Sequence, residues 1–193
     1  MKVLPDISIV IPVFNESENI SNLAHEIHTS LNGFKYEVIF VDDASTDNTK
    51  EKIKELKKDY PEIRGLSHNY NAGQSRAILS GVKMAESVYI ATLDGDGQND
   101  PRDIPRLYSQ LTRSVAPEGL ALVGGQRIKR LDSNAKKIAS ILANKIRKRL
   151  LKDEANDTGC GIKVFKRSVY LDLPFFDHMH RYIPALVLRS GFK

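Results

Sequence analysis

A chain of 193 residues is long enough to bury a full hydrophobic core without metals or disulfides to hold it together. Its 41% hydrophobic and 27% charged residues exclude the disordered, collagenous and low-complexity classes, and no apolar run approaches the eighteen or so residues of a membrane span. The net charge of +5 is unevenly placed, with +9 between Arg127 and Lys152 and −4 on the remainder, so a localised anionic partner such as a phosphate or lipid headgroup is expected.

The opening residues, Met1 to Asp6, lack the apolar core and small-residue cleavage site of a secretory signal. They lead into an apolar, β-branched run at Ile7–Val13, read as the first strand. Ile20, Leu23, Ala24, Ile27 and Leu31 then recur at helical spacing, predicting a helix that stops near Asn32-Gly33. A second strand is expected at Glu37–Val41, followed by a helix capped from Thr46-Asp47, burying Ile53, Leu56 and Tyr60 and ending at Pro61. The strand at Ile63–Ser67 precedes a third helix with Ala77, Ile78, Gly81, Val82 and Ala85 on one face. Further strands follow at Val88–Leu93 and Leu120–Val123, making five. Strand and helix alternate, which predicts an α/β fold whose mostly parallel sheet carries helices on both faces.

Ligands of such sheets bind beyond the carboxyl ends of the strands. Three loops there are polar: Pro12 to Glu16, Asp42 to Asp47, and Asp94 to Pro101. Asp94, Asp96 and Asp100 repel one another unless a cation sits between them, and Gly95 lets Asp94 and Asp96 turn toward one hard ion. An EF-hand is the wrong frame, because its turn glycine and bidentate glutamate would fall on Asn99 and Pro105. A plain acidic turn capping a helix that begins near Pro101 is the rival reading of the same residues.

Taken in order, Pro12 to Glu16, Val41-Asp42-Asp43 through Asp47, Asn71 to Gly73 with Ala77 and Gly81, and Asp94-Gly95-Asp96-Gly97-Gln98 resemble family 2 glycosyltransferases of the GT-A fold. Asp157 to Phe165 and His180-Arg181-Tyr182 narrow the resemblance to the polyprenyl-phosphate sugar transferases, the branch that includes dolichyl-phosphate mannosyltransferase and the bacterial undecaprenyl-phosphate enzymes. The resemblance implies a single catalytic domain over 1–193, with a nucleotide-sugar-binding half to about 126 and an acceptor- and membrane-facing half beyond it. It also implies further sequence past Lys193. Pro12, Glu16, Asp42, Asp43, Asn71 and Gly73 would line the donor pocket, and Asp94, Asp96 and Gln98 would hold Mg²⁺ or Mn²⁺ at the donor diphosphate. Arg127 and Arg181 would meet phosphate, a role suited to the planar guanidinium fork. Asp157, with Arg127 and Asp96, completes the implied catalytic set and would orient the acceptor or assist as a base. The implied reaction is transfer with inversion from a UDP- or GDP-sugar to a polyprenyl phosphate on the cytoplasmic face of a membrane. Gln74 stands where the mannosyl branch has lysine.

Ile138, Ile141, Leu142, Ile146 and Leu150 form an apolar stripe bordered by Lys145 and Arg149, predicting an amphipathic helix around 134–151. It suits a peripheral protein lying on an anionic membrane surface, and equally a helix docked on its own sheet or on a second subunit of a homo-oligomer. His178 and His180 lie too close in sequence to share a helix face, and Cys160 reads as a small packing residue. Other classes fit less well. A dinucleotide oxidoreductase would need a glycine-rich turn where Pro12-Val13-Phe14-Asn15-Glu16 stands. The Gln-x-x-Arg-Trp element of polysaccharide synthases cannot occur without tryptophan, although a glycosyltransferase of this fold acting on another acceptor remains an alternative. A non-catalytic anion or nucleic-acid binder lacks aromatic platforms between Arg127 and Lys152, so no nucleic-acid partner is expected.

Overall fold

The computed structural model describes residues 3–125 and 160–193. Arg127, Asp157 and the amphipathic stretch around 134–151 lie outside the described residues. The first four strands, β1 (Ile7–Val13), β2 (Tyr36–Asp42), β3 (Ile63–Ser67) and β4 (Tyr89–Thr92), run parallel. They alternate with α1 (Ile20–Ser30), α2 (Thr49–Asp59) and α3 (Gln74–Met84), as the hydrophobic periodicity predicts. After α4 (Asp103–Thr112) come β5 (Leu122–Gly124) and β6 (Lys163–Lys166), then α5 (Arg167–Leu171), a 3₁₀ turn at Met179–Arg181 and α6 (Ile183–Arg189).

The described sheet has six strands in the order β3-β2-β1-β4-β6-β5, one more than the five expected from sequence. The additional strand, β6, is antiparallel to both β4 and β5. Its sequence, Lys163-Val164-Phe165-Lys166, puts a lysine at each end of a two-residue apolar stretch, too short for hydropathy to show a strand. The fifth predicted strand is displaced toward its carboxyl end, since β5 begins at Leu122 rather than Leu120.

Alternate residues of each strand face opposite layers. Ile7, Ile9, Ile11, Val38 and Phe40 pack under α1, α2 and α4 through Ile20, Leu23, Ile27, Ile53 and Leu107. Val10, Ile39 and Val41 face α3, α5 and α6 through Ala77, Ile78, Val82, Tyr170 and Val187. Burying each aliphatic side chain of this kind contributes roughly 1.5–3 kcal/mol. Because both faces are covered, the central strands read as continuous apolar runs rather than alternating ones.

The helix α3 lies close on β1 and β2 because residue 81 has no side chain. A Cβ there would fall inside van der Waals contact of Val10 Cγ1 and 3.1 Å from Val41 Cγ2. Gly81→Ala is therefore expected to cost about 2 kcal/mol through overpacking. That corresponds to a fall of roughly 4–8 °C in Tm, measurable by thermal unfolding.

Candidate nucleotide-sugar and phosphate site

The chain crosses from β3 to the far side of β1 to form β4, so strand order reverses between β1 and β4. A crevice opens there, beyond the carboxyl ends of the strands. It holds two cavities that share Pro12, Gln74 and Asp94. The larger, of about 400 Å³, is lined by Phe14, Glu16, Asp43, Asn71, Gly73, Asp94 and Asp96. The smaller, of about 150 Å³, is lined by Cys160, Gly161, Lys163, His180 and Arg181 on its far side.

The loops around the larger cavity are tied to one another by side chain to backbone bonds. Asn15, in a left-handed conformation at φ 56°, accepts from the Thr46 N–H at 2.8 Å, while its own N–H donates to Ser45 Oγ at 2.9 Å. The Glu16 N–H donates to Thr49 Oγ1 at 2.9 Å. Asp47 accepts from the N–H groups of Thr49 and Ser17 at 3.0 and 3.2 Å. With the Thr49 hydroxyl as the largest contribution, these bonds hold its carboxyl down at about 2. The helix α2 starts at Thr49 with Asn48 at its N-cap and no side-chain cap bond, so Asp47, expected from sequence to cap the helix, instead fastens the loop after β1 to the loop after β2.

The acidic pair at the end of β2 does structural work here. Asp43 is 4% exposed. Its Oδ1 accepts from the Ala72 N–H at 2.9 Å and meets His68 Nδ1 at 2.7 Å, and its Oδ2 accepts from the Gly73 N–H at 2.7 Å. It therefore positions Asn71 and Gly73 on the cavity wall while lining the cavity itself. Asp42, 2% exposed, accepts from the Ser45 N–H at 3.0 Å and stands behind the wall.

Asp94 and Asp96 reach the cavity from the loop after β4. Gln74 Nε2 donates to Asp94 Oδ1 at 2.9 Å, a contact no single-sequence pattern could reveal. The Asp96 carboxylate is exposed and accepts from the Gln98 N–H at 3.0 Å. Gln98 lines a different depression, together with His25, Glu26, Asn99 and Arg102. Asp100 is engaged with Arg102, whose guanidinium holds its carboxyl below the usual range.

Among the described residues no three His, Cys, Asp or Glu side chains form a metal-ligating cluster. The donor set is two carboxylates in an open cavity. This fits a hard divalent cation that completes its shell with substrate oxygens and water, as Mg²⁺ commonly does. The fit is reinforced by residue 161, where a Cβ would overlap Asp94 Oδ2 and Asn99 Oδ1, so a glycine keeps the carboxylate in place.

The smaller cavity is cationic on its far wall. Lys163, 6% exposed, donates from Nζ to the Cys160 carbonyl. It was legible only as a charge inside the apolar run Ile162 to Phe165. Cys160 is buried and packs in the core beneath. Arg181 reaches the cavity from the 3₁₀ turn. His178 and His180 have ring centroids 6.3 Å apart, but only His180 lines the cavity. Burial, followed by the positive fields of Arg181, Lys163 and His178, lowers the His180 pKa to about 4, so its ring is neutral at neutral pH.

Fold and site together define an α/β domain whose switch-point crevice joins an acidic cavity to a cationic one. The profile of glycosyl transferase family 2 matches residues 8–173, and the chain belongs to that family. A dodecaprenyl-phosphate galacturonate synthase from Rhizobium johnstonii is 34% identical over 186 residues, covering 94% of this chain and 54% of the relative. The chain thus spans about half the length of that curated relative. Among solved structures, glucosyl-3-phosphoglycerate synthase from Mycobacterium tuberculosis in complex with uridine diphosphate shares the fold at a TM-score of 0.70 and 21% identity, over 97% of this chain and 65% of that one. A mannosyltransferase from Pyrobaculum calidifontis in complex with GDP-Man and Mn²⁺ does so at 0.61 and 18%, over 90% and 48%. The six-stranded, mostly parallel sheet with helices on both faces is the GT-A fold of these neighbours.

Proposed function

We propose that this chain is the catalytic part of a divalent-metal-dependent, inverting glycosyltransferase that moves a sugar from a nucleotide-sugar to a polyprenyl phosphate. The observation that carries the reading is the junction at Asp94, where a carboxylate-lined cavity of nucleotide size opens into a small cavity lined by Lys163, His180 and Arg181. The relative from Rhizobium johnstonii, a dodecaprenyl-phosphate galacturonate synthase by name, supports the lipid-phosphate acceptor.

In this reading Pro12, Glu16, Asn71 and Gly73 line the site of the nucleoside, with Asp43 bracing the wall and Asp42 the turn behind it. Asp94 and Asp96 would hold the cation, and Gln98, the third ligand implied by the family resemblance, would have to turn in from the neighbouring depression that it lines. When bound, a divalent cation neutralises charge on the departing diphosphate. Arg127 and Arg181 are assigned to phosphate. The acceptor monophosphate, with a second pKa of about 6, is largely ionised at neutral pH. One of its oxygens attacks the anomeric carbon from the face opposite the diphosphate. The C–O bond to the diphosphate breaks, its electron pair leaves with the nucleoside diphosphate, and a sugar phosphodiester forms without proton transfer. Asp157 is assigned to orienting the acceptor.

Meeting a lipid acceptor requires a membrane surface, and the stripe of Ile138, Ile141, Leu142, Ile146 and Leu150 supplies the proposed attachment on the cytoplasmic face. No helix among the described residues is long and apolar enough to cross a membrane. Thermal-shift titration with UDP- and GDP-sugars tests the donor half of the reading. One of them should raise Tm with Mn²⁺ and fail to do so after chelation. Absence of protection by any nucleotide-sugar would contradict it.

A further inference from the structure

His180 and Ser75 are 105 residues apart in sequence and share two hydrogen bonds. The His180 backbone N–H donates to Ser75 Oγ at 3.1 Å, and Ser75 Oγ lies 2.7 Å from His180 Nδ1. Ser75 is 3% exposed, in the first turn of α3. Its hydroxyl has one proton to give, and among the described residues His180 Nδ1 is the acceptor within reach. A neutral imidazole that accepts at Nδ1 carries its proton on Nε2. The ring is held neutral by burial and by neighbouring cations, and its Nδ1 edge is turned to Ser75. Nε2–H is then the nitrogen left to the cavity that His180 lines with Lys163 and Arg181. At about 150 Å³ that cavity suits a phosphate group rather than a nucleoside. The one carboxylate among its described lining residues, Asp94, stands where it joins the donor cavity and is bonded by Gln74.

We propose that His180 is a phosphate-recognition residue: Ser75 fixes its ring as the Nε2–H tautomer, which donates a hydrogen bond to a phosphate oxygen of substrate seated between Lys163 and Arg181. The inference rests on the glycosyl-transfer reading for the identity of that substrate, either the acceptor monophosphate or the donor diphosphate. The tautomer is the specific element. The Nδ1–H form would turn a lone pair toward the phosphate, and repulsion would replace attraction. Because Ser75 belongs to α3 and His180 to the 3₁₀ turn, the pair also locks the wall of the donor cavity to that of the smaller one.

The test uses the full chain labelled with ¹⁵N-histidine. Long-range ¹H–¹⁵N spectra should show His180 as the Nε2–H tautomer. Titration with citronellyl phosphate, a short prenyl monophosphate, or with UDP and Mn²⁺ should shift the Nε2 resonance. A response to the monophosphate assigns the subsite to the acceptor, and a response to UDP alone assigns it to the donor. Ser75→Ala should give a mixture of tautomers and weaken the responding ligand about twofold, in proportion to the Nε2–H fraction lost, whereas His180→Ala removes the hydrogen bond to a charged group and should weaken it about tenfold or more. His180→Gln, which keeps an N–H near the Nε2 position, should retain most of the affinity that His180→Ala loses. An Nδ1–H tautomer in the parent protein, or no Nε2 response to either ligand, would overturn the inference. If nucleotide-sugars bind and sugar is transferred while the His180 variants match the parent, this inference fails and the transfer reading stands. If no nucleotide-sugar binds, the transfer reading fails whatever His180 does.

Discussion

Asp96→Asn is expected to abolish metal-dependent donor binding while leaving the fold unchanged. The side chain is exposed and its bond within the molecule is to the Gln98 N–H, which an asparagine carbonyl oxygen can still accept. Only the charge is lost, and charge is what a hard divalent cation requires of a ligand. Altering groups that merely support metal ligands typically costs about 10–100-fold in affinity. Removing one of the two proposed ligating carboxylates should therefore cost at least roughly a hundredfold. Calorimetric titration of nucleotide-sugar with Mn²⁺ measures this, with thermal unfolding as the control. Unchanged affinity would remove Asp96 from the metal site.

Gly161→Ala should produce a comparable loss of metal binding by a different route. It removes no ligand, yet its Cβ would collide with Asp94 Oδ2 and Asn99 Oδ1. Either the Asp94 carboxylate turns away from the cavity or the residues leading into β6 shift, and both spoil the geometry at the junction of the two cavities. Overpacking of this kind costs about 1–3 kcal/mol, so stability falls together with affinity, unlike the Asp96 variant. Thermal unfolding and electron paramagnetic resonance of bound Mn²⁺ together separate the two cases. Parental stability and Mn²⁺ affinity in Gly161→Ala would contradict the placement of Asp94.

Hydrophobic periodicity was sufficient for β1, β2, α1 and α3, because buried parallel strands and one-faced helices leave a strong trace in residue order. It failed at β6, where Lys163 and Lys166 hide a strand whose partners, β4 and β5, are distant in sequence. The acidic loops were equally visible, since the carboxyl ends of parallel strands are where polar loops collect. Their division of labour was not visible. Asp43 and Asp94 look alike as aspartates following apolar strands, yet Asp43 is bonded to the backbone of Ala72 and Gly73, whereas Asp94 stands at the junction of both cavities. Gln74 and Ser75 illustrate the same limit. Each is an ordinary polar residue opening a helix until the fold brings Asp94 to one and His180 to the other.

The proposed activity is sugar transfer to a lipid phosphate through the Asp94 and Asp96 site. The most direct measurement incubates the full chain with anionic vesicles containing a polyprenyl monophosphate, a radiolabelled nucleotide-sugar and Mn²⁺, then extracts the lipid phase. Label should appear there as a sugar phosphodiester, and be lost on chelation and in Asp96→Asn. Metal-dependent donor binding without lipid-linked product for any UDP- or GDP-sugar, with transfer to a water-soluble acceptor instead, would contradict a lipid-phosphate acceptor.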